Sequence, residues 1–177
     1  MKKATGTKTI KTERLVLKKI MPWRLAQAQW LTLPQMAEFN MAKAPYTKKF
    51  TRDFICRKFV KYRKKDYYFW GIMLKNKMIG YVELMPHLER QFFLNYKISP
   101  SYWNNGYGTE AISAVLDYCN TQPIDKVYSR CDEANIGSKR VMEKSGMKEI
   151  GNIETNPILQ YTNGETARAY YYLKKYE

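Results

Sequence analysis

The 177 residues carry 31 Lys and Arg against 16 Asp and Glu, a formal net charge of +15. With 45% hydrophobic and 15% aromatic residues the chain can bury a real core, which excludes a disordered polyelectrolyte, and no apolar run approaches the ~18–20 residues of a membrane span. Three widely spaced cysteines (Cys56, Cys119, Cys131) form no CxxC pair, which points to reduced thiols in a cytoplasmic protein and away from a disulfide framework or a zinc site.

The length suits one domain, residues 1–177. The first residues, MKKATGTKTIKTERL, are basic with no apolar stretch behind them, so no secretory signal is expected. TERLVLKKI (12–20) alternates Leu15 and Leu17 with polar neighbours and predicts a strand. MPWRLAQAQWLTLP (21–34) opens with a proline and predicts a helix. In TRDFICRKFVKYRKK (51–65), Phe54, Ile55, Phe59 and Tyr62 recur near helical spacing, with Arg57, Lys58, Lys61, Lys64 and Lys65 on other faces. That is an amphipathic helix whose basic side is either a solvated face or a docking face for an anionic partner.

DYYFWGIML (66–74), MIGYVELM (78–85) and FFLNYKIS (92–99) predict three antiparallel strands joined by turns at 75–77 and 86–91. His87, the one histidine, reads as a surface turn residue. TEAISAVLDYCN (109–120) places Ile112, Val115, Leu116 and Cys119 on one helix face. DKVYSRCDE (125–133) predicts a strand and IGSKRVMEKSG (136–146) a second helix ended by Gly146. MKEIGNI and ARAYYYLKK predict closing strands, with Tyr161 and the tyrosines at 170–172 as strand and core residues. The fold class is therefore α/β (α+β), with a mixed sheet flanked by helices.

The stretch SPSYWNNGYGTEA (99–111) sits where an antiparallel meander gives way to strand-helix-strand. Gly106 and Gly108 stand next to a helix start, where backbone N–H groups are unpaired and the helix dipole is positive. Together they predict either an anion site or a helix entry that uses glycine for packing. A third glycine with a distant acid, as a dinucleotide fingerprint needs, is missing, and so is GK[ST].

NYKISPSYWNNGYGTEAISAVLDY, followed by CDEANIGSKRVMEKSGMKEIG, resembles the GCN5-related N-acetyltransferase (GNAT) superfamily, and more closely its ribosomal-protein N-terminal (Rim-type) branch. The matching positions are Tyr102, Trp103, Gly106, Tyr107, Gly108, Thr109, Glu110 and Ala111, then Asn135, Ser138, Val141, Lys144, Gly146 and Met147. The likeness runs from Thr12 to Tyr176. It implies a mostly antiparallel sheet with strands splayed around the cofactor, and acetyl-CoA as donor. Departures lie at Asn104-Asn105, Asn95-Tyr96, Phe93 and Arg168; the last two are positions where the family handles its acceptor amine.

The resemblance implies that the pyrophosphate lies on the turn from Trp103 through Asn104, Asn105, Gly106, Tyr107 and Gly108 to Thr109. It implies that pantetheine pairs along Tyr96, Lys97 and Ile98, and that the 3′-phosphate meets Lys139, Arg140 or Lys144. Asn135 holds the pantetheine or caps its helix. Ser138 donates to the leaving thiolate, or is a solvent-facing helix serine. Glu83 in YVELM is a candidate base acting through water, or a solvent-facing carboxylate on the sheet. No metal is implied.

An α-amine of pKa ~8 costs ~1.4 kcal/mol to deprotonate at pH 7, a lysine amine of ~10.4 costs ~4.6. With no obvious strong base, the acceptor expected is a protein N-terminal amine or another low-pKa primary amine. A polyamine is disfavoured by the +15 charge. The alternative is a basic nucleic-acid or ribosome-associated protein that keeps the fold without catalysis, to which exposed Trp23 and Trp30 would contribute. No membrane association is expected, and the chain is read as a monomer or homodimer.

Overall fold

The computed structural model describes residues 3–38, 45–151, 159–160, 166–167 and 169–176. Its strands are β1 (Ile10–Lys11), β2 (Leu15–Lys18), β3 (Tyr68–Leu74), β4 (Lys77–Leu88), β5 (Gln91–Ile98), β6 (Lys126–Asp132), β7 (Lys148–Gly151), β8 (Leu159–Gln160), β9 (Thr166–Ala167) and β10 (Ala169–Lys175). Its α-helices are α1 (Lys48–Lys61), α2 (Tyr107–Cys119) and α3 (Ile136–Lys144). Eight strands form one sheet in the order β1-β2-β3-β4-β5-β6-β10-β7, and β8 pairs with β9. Within the large sheet β5 and β6 are parallel; the other pairs are antiparallel. This is the mixed, mostly antiparallel sheet expected.

The strand period of two sorts the sheet's side chains into two layers. Leu15, Leu17, Trp70, Val82, Leu94 and Val127 pack with Ile112, Val115, Leu116 and Cys119 of α2 and Met142 of α3. On the other face Phe69, Met73, Met78 and Tyr81 pack with Ile55 of α1 and with Ala28, Trp30 and Leu31. The predicted face of α2 is thus the buried one.

Several boundaries differ from the sequence reading. The segment expected as a helix over 21–34 winds as a 3-10 helix from Pro22 to Thr32. Its polar groups serve the sheet: Gln27 Oε1 accepts from the Met78 N–H at 3.1 Å. Trp30 is buried against Tyr81, so of the two tryptophans offered as exposed aromatics only Trp23 is so. The basic helix ends at Lys61, which leaves Lys64 and Lys65 beyond it. The turn expected over 86–91 tightens to Glu89 and Arg90, Arg90 taking a positive φ of 56°. β4 therefore continues through His87, whose ring lies 5.6 Å from Phe93 and 5.7 Å from Tyr128. Of the three tyrosines, Tyr172 is a core residue, as read. Tyr161 and Arg168 lie outside the described residues.

Candidate active site

β5 and β6 run parallel only from Gln91 to Phe93 against Lys126 to Tyr128. One residue further, Ser129 Oγ still donates to the Leu94 carbonyl at 3.1 Å. From Asn95 onward the two strands have separated, and β5 keeps a partner on its β4 side only. A gap opens at the carboxyl end of the parallel pair, where ligands bind in open α/β sheets.

Which groups line this gap follows from alternation along β5. The Lys97 carbonyl points at β4, lying 2.5 Å from where a Cβ on Gly80 would stand. The amide groups of its neighbours Tyr96 and Ile98 therefore point into the gap. The Ile98 carbonyl is already taken there, accepting from Trp103 Nε1 at 2.8 Å. What remains open is the N–H and C=O of Tyr96 and the N–H of Ile98. These can form the short parallel-type ladder that a pantetheine amide needs. Lys97 is the exception to the expected run of three, because its backbone serves β4 and its side chain the α1 face.

Beyond Ile98 the chain makes the turn quoted above. Asn104 has φ 60° and Gly106 φ 77°, two left-handed residues within three positions. Among the described residues, no backbone N–H from Asn104 to Thr109 finds an acceptor. The first helical donation is Glu110 N–H to the Gly106 carbonyl, at 3.0 Å. Orphan donors at the head of a thirteen-residue helix are an anion cradle. The two glycines do different things. Gly106 supplies the angle. Gly108 lets α2 approach α3, since a Cβ there would stand 3.2 Å from Val141 Cγ2. Packing, the second reading of glycines at a helix entry, describes what Gly108 does between α2 and α3.

The turn is braced from the far end of the chain. Arg14 Nε donates to Glu110 Oε2 at 2.7 Å, its N–H to Oε1 at 2.9 Å, and its NH1 to the Asn105 carbonyl at 3.1 Å. The guanidinium carbon lies 4.6 Å from the centre of the Tyr107 ring. Burial alone would raise the Glu110 carboxyl, but hydrogen bonds from Thr12 and Arg14 and the Arg14 charge outweigh it and hold the group below its ordinary value. Sequence reading missed Arg14 because nothing local marks a partner 96 residues away.

Across the gap stands α3. Asn135 caps it, Oδ1 accepting from the Ser138 N–H at 2.9 Å, which settles one of its two sequence readings as a cap. Ser138 Oγ faces the sheet and lies 2.7 Å from the Tyr96 hydroxyl. It is half-buried, not a solvent-facing helix serine. Burial pushes the Tyr96 phenol well above its ordinary value, so it stays protonated through neutral pH. The phenol, like Arg14, escaped the sequence reading; the alternation Phe92, Leu94, Tyr96, Ile98 is the signal that turns Tyr96 toward the α3 layer.

The remaining candidates scatter. Lys139 lies 3.5 Å from Glu149 and 3.9 Å from Glu143, so its charge is engaged on the β7 side. Arg140 and Lys144 share the next ridge of α3 and are exposed. Glu83 is 3% exposed, on the opposite face of the sheet, and its carboxylate is paired with Lys58 of α1. It is no solvent-facing carboxylate, and Lys58 does not belong to the solvated basic face. Phe93 stacks on Tyr128 at 6.2 Å on the same face. Among the described residues no cluster of His, Cys, Asp and Glu has the spacing of a metal site, and no helix is long and apolar enough to cross a membrane.

A splayed parallel pair, an amide-lined edge and a helix-head cradle at its end form an open site for an extended ligand that ends in an anion. The acetyltransferase (GNAT) domain profile matches residues 14–148, and the chain belongs to that family. The N-acetyltransferase YnaD of Bacillus subtilis (strain 168) is 32% identical over 76 residues, 42% of this chain and 45% of that protein. The match thus spans under half the length of this relative. A GNAT-family acetyltransferase structure from Bacillus anthracis superposes with a TM-score of 0.82 at 24% identity, covering 95% of this chain and 98% of that one. RimL, a ribosomal L7/L12 α-N-protein acetyltransferase solved with coenzyme A, superposes with a TM-score of 0.81 at 14% identity, covering 96% and 98%. These likenesses establish the shared fold.

Proposed function

We propose that the chain moves an acetyl group from acetyl-CoA to a primary amine, the α-amine of a protein N-terminus. The carrying observation is the continuity of the open edge with the cradle. Tyr96 and Ile98 offer amide groups into the gap, and the turn from Asn104 to Thr109 offers orphan N–H donors at its end. An amide-bearing arm that ends in a pyrophosphate fits that sequence of donors. The donor supplies a thioester; the chain's own groups position and polarise it.

In this reading the Tyr96 and Ile98 N–H groups fix the arm and polarise the thioester carbonyl. The Tyr96 hydroxyl and Ser138 Oγ, sharing one hydrogen bond, deliver a proton to the departing sulfur. Gly106 and the helix head bind phosphate, and Arg140 and Lys144, both exposed on α3, meet the 3′-phosphate. An α-amine acceptor is favoured by its low pKa, and RimL is described as acting on ribosomal L7/L12. The +15 charge further favours an acceptor displayed on a polyanion, with the exposed lysines and arginines of α1 as the attracting face.

Calorimetry with acetyl-CoA tests the donor, and free-thiol release with a short N-terminal-serine peptide, a polyamine and an aminoglycoside tests the acceptor. Binding together with thiol release on the peptide is the expected result. Binding without turnover on any amine would leave a ligand-binding protein with this fold.

A further inference from the structure

Because Tyr96 and Ile98 turn their amides into the gap, Lys97 between them sends its side chain through the other face of the sheet. There β4 sets Tyr81 opposite Lys97 and Glu83 opposite Asn95. The Lys97 Nζ stands 5.6 Å from the centre of the Tyr46 ring. Tyr46 packs on Phe50 at 4.5 Å, and Phe54 packs on Phe69 and Tyr81 at 5.8 and 5.4 Å. The amine is thus half-buried against an aromatic wall, one residue from the edge that holds the thioester. Among the described residues no carboxylate lies within ion-pair distance of it.

The other ionisable groups around it are committed. Glu83 is paired with Lys58, whose Nζ also lies 4.9 Å from the centre of the Phe54 ring. Burial holds the Tyr81 hydroxyl as a phenol, with Asn95 as its hydrogen-bond partner, and burial also raises Tyr46. Trp30 brings no charge to this wall. Burial lowers the Lys97 ammonium to about 8.

Resting on the acetyl-transfer reading, we propose that the Lys97 amine is the general base that takes the proton from the acceptor amine. In the step the acceptor nitrogen forms its bond to the acetyl carbon while the carbon–sulfur bond breaks. The nitrogen's proton passes to Lys97 Nζ, and the sulfur takes its proton from the Tyr96–Ser138 pair. Lys97 then returns its proton to solvent, and the Tyr96–Ser138 pair takes one back from solvent, which restores both groups. Its basicity is matched to an α-amine, and kcat/KM for a peptide acceptor rises with pH through about 8.

A lysine kept only to attract an anionic group of the acceptor would be replaceable by arginine, which holds its charge and gives up no proton. Lys97→Arg and Lys97→Met are assayed at pH 7.5 with an N-terminal-serine peptide, with acetyl-CoA affinity measured for each by calorimetry. Both variants are expected to bind acetyl-CoA as the wild type does and to lose roughly 100-fold or more in kcat. An alkoxyamine acceptor, whose nitrogen gives up its proton far more readily once it bonds to the acetyl carbon, should recover at least about ten-fold of that loss in Lys97→Met. Retention of most activity by Lys97→Arg would overturn the proton transfer, and so would failure of the alkoxyamine to recover rate in a folded, donor-binding Lys97→Met. Failure of the wild type to bind acetyl-CoA would instead remove the acetyl-transfer reading on which the proposal stands.

Discussion

Tyr96 on β5 and Ser138 on α3 share a 2.7 Å hydrogen bond across the mouth of the gap that β5 and β6 open. In the proposed mechanism these two hydroxyls, on residues 42 positions apart, act as one proton-holding unit beside the stretch of β5 edge that β6 leaves unpaired. Removing either should cost similar amounts. A CoA thiolate leaves with a pKa near that of a simple thiol, ~8.5, so its need for a proton is modest. Ser138→Ala and Tyr96→Phe are each expected to lower kcat toward the low end of the ~10²–10⁴ range for general acid help, with the double variant little worse than either single one. Steady-state kinetics checks this; losses that multiply in the double variant, or fall on KM alone, would mean two independent positioning contacts.

The two glycines of the turn should fail in different ways. Gly106→Val strains a residue at φ 77° and is expected to weaken acetyl-CoA binding by about 1–3 kcal/mol in calorimetry. Gly108→Val drives a side chain into Val141, 3.2 Å from the first added carbon, and should lower the melting temperature before it lowers affinity. Adding Val141→Ala should restore part of the melting temperature of Gly108→Val and none of the affinity of Gly106→Val.

Lys58 and Glu83 hold α1 to the sheet as a buried pair. Lys58→Met leaves the carboxylate of Glu83 without its partner, and a loss of about 3–5 kcal/mol in denaturant unfolding is expected. Lys58→Met with Glu83→Leu removes both charges and should recover most of that loss. Equal stability of the single variant and the wild type would show that the pair holds nothing in place.

The Glu110 carboxyl gives the turn an acid limit. Its folded pKa lies below the ordinary value, so it is deprotonated more readily in the native state than in the unfolded chain. Its stabilising contribution is therefore complete above the unfolded value of about 4.3 and fades as pH falls through the lower folded value. Comparing melting temperatures of the wild type and Glu110→Gln from pH 7 to pH 3 should show a gap at neutral pH that closes on acidification. A constant gap would assign the contact to packing instead of charge.

Much of this site was legible in the sequence because its grammar is local. A left-handed glycine before an amphipathic helix, a cap at Asn135 and alternation on β5 each occupy a few adjacent residues, and each predicts one geometry. What stayed hidden is non-local. The Lys58–Glu83 pair turned a strand carboxylate from a surface group into a buried one, and only the docking of α1 over β4 decides that. Trp103 read as the head of the turn; its indole reaches back five residues to close the Ile98 carbonyl, which no spacing rule announces. The 3-10 winding from Pro22 to Thr32 was hidden as well, since helix formers specify a helix without specifying its pitch once neighbouring strands claim the polar side chains.

The Arg14–Glu110 brace fixes when the turn can take its final shape. Its partners close a loop of 96 residues, and β2, which follows Arg14 directly, pairs with β3 far downstream. A fragment carrying residues 99–120 has the glycines, the helix and local contacts such as the bond from Asn105 Nδ2 to the Trp103 carbonyl, but not the Arg14 brace, and a growing chain gains that brace only after α2 has emerged and folded back onto its first residues. Such long closures are slow relative to local helix formation. The braced form of the turn is therefore expected among the last features to be completed as the molecule folds, and its completion would report that the beginning and the middle of the chain have met.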